Sequence, residues 1–306
     1  MADFFFVVNP RAANGKVGTK IWPQLRARLE ASGTNFDFEM TTGRGDGIEI
    51  ARLRRARNYK CYIAVGGDGT VNEMLNGLLS AGDTSPPVVS VFPVGSGNDF
   101  ARMHHIPDRI DEWLRILLAF KTRRHNAGIV HYHDDSGIRR RRYFVNVAGL
   151  FYDAFVVKAV NGRTKPINSS IQYLAVAVKK LWAYRPAGAV IDWDEGRISG
   201  HFYTANIGIC QYSGGGMQFV PHADPSATQL AVTVARRMHP LRVLLSTPYF
   251  YNGKVARHRR VDCFHTEKLS IRPTDGAVHL ETDGEFIGYA PCRFELARDA
   301  FRLVVP

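Results

Sequence analysis

Three glycines in four positions, in the run Val65-Gly66-Gly67-Asp68-Gly69-Thr70-Val71-Asn72, form the strongest chemical signal in the chain. Glycine tolerates positive φ and lets main-chain N–H groups approach an anion with no Cβ in the way. An acid inside such a loop can bind magnesium through oxygen, directly or through water, which makes Asp68 a candidate ligand. Thr70 and Asn72 fall in the first turn of the helix predicted to follow, and the positive end of a helix favours phosphate. A plain strand-to-helix turn would need neither the acid nor the threonine.

Four further segments sit at predicted strand ends. Asn9-Pro10-Arg11-Ala12-Ala13-Asn14-Gly15-Lys16 is a turn that can aim backbone amides at an anion, with Lys16 adding a point charge. It lacks the spacing of a Walker loop. Pro93-Val94-Gly95-Ser96-Gly97-Asn98-Asp99-Phe100-Ala101-Arg102 offers the Ser96 hydroxyl and Asn98 to phosphate, Asp99 as a helix cap and Arg102 as a neutralising charge. Thr41-Thr42-Gly43-Arg44-Gly45-Asp46 is a looser turn, as consistent with an ordinary connection as with a base or ribose contact. Leu280-Glu281-Thr282-Asp283-Gly284-Glu285 ends a strand on a carboxylate. Asp283 is a candidate general base for a substrate hydroxyl if a second domain carries it over the phosphate loop. By itself Asp-Gly is a hairpin turn signal.

The elements that must hold these residues divide in two. Up to about residue 127, short apolar runs (Phe4–Val8, Phe36–Met40, Cys61–Val65, Val88–Phe92) alternate with helical stretches (18–31, 48–57, 71–79, 110–121). Such alternation predicts a parallel sheet covered by helices, with ligands at the carboxyl ends of the strands. From about Gly128 strand-like runs dominate, apart from helical spacing at 171–184 and 241–250, which predicts a mostly antiparallel second domain. The expected domains are 1–127, completed by 297–306, and 128–296.

With 306 residues, 45% hydrophobic and 22% charged, the chain can bury a core in each of two domains. No apolar run reaches the ~20 residues of a membrane span, and the Met1–Pro10 stretch reads as a buried strand, not a leader. Cys61, Cys210, Cys263 and Cys292 lack metal-ligand spacing and suit a reducing cytoplasm. The net charge of +12 favours anionic partners, with basic clusters at 52–55, 139–142 and 257–260. No nucleic-acid reading motif accompanies them, so no nucleic-acid partner is expected.

Taken together, Asn9-Pro10 with Gly15-Lys16, Gly66–Thr70, Gly95–Arg102 and Asp283-Gly284-Glu285 resemble the diacylglycerol kinase catalytic-domain family, which includes bacterial lipid kinases, sphingosine kinases and ceramide kinases. The Gly-Gly-Asp-Gly loop is shared with NAD kinases and phosphofructokinases; Gly95–Arg102 points to lipid. The resemblance implies an NAD kinase/phosphofructokinase-like α/β nucleotide-binding domain followed by a β-rich lipid-substrate domain. It implies ATP held by Asn9, Thr41, the run Gly66, Gly67, Asp68, Gly69, Thr70, Val71 and Asn72, and Ser96, with Lys16, Asn98 and Arg102 nearby. It further implies Mg²⁺, Asp283 as proton acceptor, and γ-phosphoryl transfer to a lipid hydroxyl in lipid metabolism and phospholipid biosynthesis. The expected location is cytoplasmic and peripheral to an anionic membrane, with Arg139 to Arg142 part of the docking face. Ala227, Thr228 and Ala231 stand where the family has a structural-magnesium acid, a glycine and a later acid; Asp224 is the carboxylate that remains there. Phe151 replaces a glycine next to Tyr152-Asp153-Ala154, a change that bears on the acceptor pocket. Two other readings compete: a non-catalytic lipid- or nucleotide-binding regulator on this fold, and an NAD kinase.

Overall fold

The computed structural model describes residues 2–82, 85–162 and 170–306. It resolves into two compact units, one running to Asn126 and resuming at Arg298–Pro306, the other Ala127–Ala297.

In the first unit the apolar run β1 (Phe4–Val8) is buried at every position, as a strand covered on both faces must be. A short wide helical turn, Val17–Ile21, leads into α1 (Trp22–Ala31). There follow β2 (Phe36–Met40), α2 (Asp46–Arg55), β3 (Cys61–Gly66), α3 (Asp68–Ser80), β4 (Val88–Pro93), the short α4 (Asp99–Met103) and α5 (Ile110–Ala119). The pairings among β1 to β4 are parallel: β1 lies between β2 and β3, and β3 pairs with β4. Residues 298–304 add a strand outside β4, with Arg302 opposite Val88. Because the strands point one way, the loops after β1, β2, β3 and β4 all emerge at one sheet edge. Phe6, Trp22, Phe92 and Trp113 fill the core, and the Trp113 indole donates to the Val91 carbonyl at 2.7 Å.

The unit boundary falls inside β5 (Thr122–His133). Next come β6 (Arg139–Phe144), β7 (Val147–Phe151), α6 (Tyr152–Asn161), α7 (Ser170–Leu181), β8 (Gly188–Trp193), β9 (Gly196–Gly208), the small β10 (Tyr212–Ser213) and β11 (Met217–Gln218), and β12 (Leu230–Arg236). The chain continues through α8 (Pro240–Tyr251), β13 (Val261–Thr266), β14 (Lys268–Asp275), β15 (His279–Thr282) and β16 (Glu285–Val304). The antiparallel pairings close a circuit, β7-β15-β16-β14-β8-β9-β7, and β12 and β13 extend from β9. Inside it lies one apolar core with Leu150, Phe151, Phe202, Leu280 and Phe294. Among the described residues no helix is long and apolar enough to cross a membrane.

Helix α6 and strand β13 were not expected from the sequence: α6 follows β7 without a break, and its Phe155-Val156-Val157 run carries no turn signal. The basic cluster at 139–142 lies on strand β6, with Arg139, Arg140 and Arg141 exposed. Arg140 pairs with Asp134 at 2.9 Å and Arg142 with Glu285 at 2.6 Å.

Candidate functional site

Three of the glycine-rich loops in the first unit are knitted together by side chains. Asp68 begins α3 and reaches the next loop, where its Oδ2 accepts the Asp99 amide at 3.1 Å and its Oδ1 the Phe100 amide at 2.9 Å. The cap of α4 is thus Asp68, thirty-one residues away in sequence, and not Asp99, which is the helix's first residue. Gly67 and Gly95 pack backbone to backbone: a Cβ on Gly95 would lie 2.6 Å from the Gly67 Cα, closer than side-chain carbon is ever found. Asn98, at φ 52°, accepts the Gly95 amide at 2.8 Å. Asn9 donates to the Thr70 hydroxyl at 3.2 Å, which ties the loop after β1 to the loop after β3.

The loop after β2 is held from behind. Glu73, on α3 and buried, accepts the amides of Gly45 at 2.8 Å and Gly47 at 3.0 Å. Asp46 accepts the amides of Thr42 and Gly43 and the Thr42 hydroxyl; these bonds, the Thr42 hydroxyl foremost, hold its carboxyl below the usual range. The acids of this edge therefore fix backbone. What the edge presents to an anion is the N-terminus of α3, the Gly66–Thr70 loop and the small exposed Ser96.

The other expected contacts divide. Thr41 is buried and donates its amide to the Val8 carbonyl at 2.9 Å. Val71 and Asn72 are buried in α3, Val71 within the core, so these two can meet a ligand only through backbone. Lys16 is exposed. Arg102 lies along its own turn, 3.3 Å from the Gly97 carbonyl and 3.8 Å from Asp99.

Asp283 belongs to the second unit. With Gly284 it forms the two central residues of the β15–β16 hairpin, at φ 49° and 84°, the left-handed pair that a tight hairpin requires. Its carboxylate accepts three consecutive amides, Val145 at 2.9 Å on Oδ2 and Asn146 at 2.9 Å and Val147 at 3.1 Å on Oδ1. Thus the hairpin signal and the candidate base are the same residues.

Beside this turn opens a cavity of about 180 Å³, lined mainly by apolar side chains of α6, α7, α8, β9 and β12, among them Val156, Leu181, Tyr203, Leu244 and Phe250. At one end lie Asp153, Glu281, Thr204, Asn206 and Gly284. Thr204 donates its hydroxyl to Asp153, and Asn206 donates to the Thr204 hydroxyl at 3.0 Å. Burial lifts the Asp153 carboxyl to about 6, against the bonds from Thr204 and Asn206. Burial also pushes Glu281 well above the ordinary carboxyl range, with Asp153 and Asp283 adding to it and the Gly284 amide opposing. Gly149 stands opposite Glu281 in the strand pairing, and any Cβ there would strike the Glu281 carboxyl.

The acid pair Asp153 and Glu281 escaped the sequence reading. Their one local signal was the acid of Tyr152-Asp153-Ala154 after an all-apolar strand. Phe151 does not line this cavity: it is fully buried in the sandwich core, its ring 5.7 Å from Phe202, on a backbone at φ 67°. That strained conformation, which glycine adopts freely, is the physical reason a glycine suits the position. Asp224 folds back on its own turn, accepting the Ser226 amide at 2.8 Å and hydroxyl at 2.7 Å. Among the described residues it belongs to no cluster of three metal-ligating side chains.

Comparison with known proteins agrees with this division. Residues 3–130 match the diacylglycerol kinase catalytic domain, and residues 146–305 match the YegS C-terminal NAD kinase beta sandwich-like domain. A protein of Chromohalobacter salexigens named "Probable lipid kinase YegS-like" is 28% identical over 243 residues, 78% of this chain and 73% of its own. A diacylglycerol kinase of Bacillus subtilis is 24% identical over 306 residues, 98% of this chain and 95% of its own. Among solved structures, a diacylglycerol kinase from Bacillus anthracis superposes with a TM-score of 0.71 at 18% identity, covering 99% of this chain and 97% of that one. Yeast NADH kinase does so with a TM-score of 0.58 at 10% identity, covering 100% and 84%.

Proposed function

Since the chain belongs to the diacylglycerol kinase catalytic-domain family, with a YegS-type C-terminal domain, we propose that it moves the γ-phosphoryl of Mg-ATP to the hydroxyl of a lipid. The acceptor is diacylglycerol, a sphingoid base or another long-chain alcohol, and the protein works peripherally at a membrane surface on the cytoplasmic side. The observation that carries this reading is the second unit's cavity: apolar walls ending in buried polar groups beside the Asp283-Gly284 turn. An acyl chain fits the walls and a hydroxyl fits the end.

In the first unit, the loop amides and the α3 N-terminus bind the nucleotide phosphates, the Gly67–Gly95 contact keeping the backbone close enough to do so. Two amides already occupy the Asp68 carboxylate, so its donor set suits a contact to magnesium through water better than direct coordination. Magnesium, when bound, neutralises charge on the phosphates. No structural magnesium fits near Asp224, where Ala227 and Ala231 offer no side-chain oxygen. In the second unit Asp283 orients the acceptor hydroxyl and takes its proton.

One observation favours a second assignment of the base. Asp153, not Asp283, lines the cavity, and its carboxyl sits at about 6, near a useful operating value. On that reading Asp283 holds the turn and Asp153 receives the proton. The experiment is transfer of ³²P from labelled ATP into the organic phase with a lipid panel, repeated with Asp283→Asn and Asp153→Asn across pH 5–9. Label in lipid with wild type supports the lipid kinase. Label on NAD would make it an NAD kinase, and nucleotide binding without any transfer would make it a regulator. Residual activity in Asp283→Asn with an intact acid limb would move the base to Asp153.

A further inference from the structure

Between Arg236 and Arg260 the chain has seven Lys or Arg residues and no Asp or Glu. The structure folds this stretch around α8. One face of the helix, with Val243, Leu244 and Phe250, closes the apolar cavity. Its other flank carries Leu241 and Leu245 at a four-residue spacing, exposed by 52% and 69%; Tyr249, 38% exposed, continues the row and also reaches the cavity lining. A helix apolar on both sides is poorly suited to water on either. Trp182, 60% exposed, adjoins Leu181, which packs in the same cluster as Val243 and Leu244.

Beside this stripe runs an open groove of about 920 Å³ whose charged lining is almost wholly basic: Arg185, Arg237, Arg242 and Arg260, with His201 and His239. Among the described residues none of these four arginines makes an ion pair, whereas neighbouring Arg236 is held by Asp262 at 2.9 Å. Among the described residues no acid lines the groove, and its His201 is bound to Asp275 at 2.9 Å. Arg260 donates to the Arg237 carbonyl at 3.0 Å, which fixes two of the cations side by side.

We propose that α8 and this groove are the face by which the protein docks on a bilayer of anionic phospholipid, the leucine stripe entering the interface and the groove arginines holding phosphate headgroups. Charge complementarity selects this occupant: an exposed apolar stripe flanked by arginines that lack carboxylate partners matches acyl chains beneath a layer of phosphates. The face replaces the 139–142 cluster expected from the sequence, where Arg140 and Arg142 are already engaged. Docking there also sets the wall of the acceptor cavity against the lipid. The inference goes beyond the proposed reaction, and its test needs neither nucleotide nor acceptor.

The full chain is sedimented with vesicles of phosphatidylcholine alone and with one-third phosphatidylglycerol. Wild type binds the anionic vesicles at least tenfold more tightly. Replacing Arg237, Arg242 and Arg260 together by glutamine lowers that binding about a hundredfold. The Leu241→Ser, Leu245→Ser pair weakens it with unchanged circular dichroism, and Arg139→Gln with Arg141→Gln leaves it as in wild type. Wild type is also tested unaltered, by quenching of tryptophan fluorescence with brominated lipid. Trp22 and Trp113 are buried and Trp193 is half-buried against Phe264, so quenching that is lost in Trp182→Phe reports Trp182 at the membrane. Wild-type binding by the triple-arginine variant, or absence of quenching on bound vesicles, overturns the proposal. So does a stable dimer that Leu245→Ser dissociates, which would assign the face to a second copy.

Discussion

In the parallel unit, Asp46, Asp68 and Glu73 each hold two backbone amides of a glycine-rich loop. In the antiparallel unit, Glu281 lies buried and Asp153 half-buried at an apolar cavity, and desolvation raises both carboxyls. The same functional group does opposite work. The Thr42 hydroxyl and backbone amides hold the Asp46 carboxyl below its ordinary range, whereas burial outweighs the Gly284 amide at Glu281 and raises it, so that its charge state can change. A kinase needs both: rigid donors for phosphate whose chemistry is mostly positioning, and a proton acceptor for the hydroxyl.

The comparison breaks first at Asp68. Asp68→Ala leaves the α4 amides without their acceptor and frees the Gly95–Asn98 loop to shift. Transfer should fall about a hundredfold or more, as a 1 Å misplacement does, with only a small change in acceptor affinity. A variant that keeps wild-type kcat would show that the carboxylate does not set the loop.

Phe151 tests how much strain the antiparallel unit tolerates. Phe151→Gly relieves a left-handed backbone that costs about 1–3 kcal/mol but removes a core ring that contributes about 3–5 kcal/mol. The net loss should be about 2 kcal/mol, visible as a fall of several degrees in Tm by calorimetry. An increase in Tm would mean the strain exceeds the packing.

Asp153 carries the pH arm. Its carboxyl is raised from 3.8 to about 6 by burial, so the folded chain keeps this proton over a range where the unfolded chain has lost it. Stability contributed by the protonated form is therefore lost as pH climbs from about 4 through about 6. Asp153→Asn removes that loss and should be more stable than wild type by about 1–3 kcal/mol at pH 8, with little difference at pH 4, by urea denaturation. Equal pH dependence in the two proteins would refute the buried-carboxyl assignment.

The smallest effect is expected at Glu73. Glu73→Gln keeps one acceptor oxygen and loses the other, weakening the hold on Gly45 and Gly47 by about 1 kcal/mol. KM for the nucleotide should rise severalfold with kcat nearly constant. A change in kcat alone would place Glu73 in the chemistry.

Legibility followed distance along the chain. The apolar runs of β1, β3 and β4 and their glycine loops could be read directly, because a parallel strand buried on both faces is a continuous hydrophobic word and its loop is adjacent. The Asp68 cap on α4 could not be read, since nothing at Asp68 names a partner across an intervening strand. Asp153 and Glu281 meet only because β15 pairs with β7, placing Glu281 opposite Gly149. No spacing rule joins two positions so far apart. The arginines of β6 looked alike in sequence; strand alternation then sent Arg140 and Arg142 to acids.

The first unit is discontinuous: residues 298–304 supply the strand outside β4, and Phe301, Leu303 and Val304 are buried there. During synthesis that strand leaves the ribosome only after the whole of residues 127–297. Until then β4 is an open sheet edge with an unfilled apolar face, a template for pairing with another chain. The contiguous unit can complete its core while the first unit waits. This late-made strand therefore governs when the first unit matures and how long its edge stays exposed to aggregation.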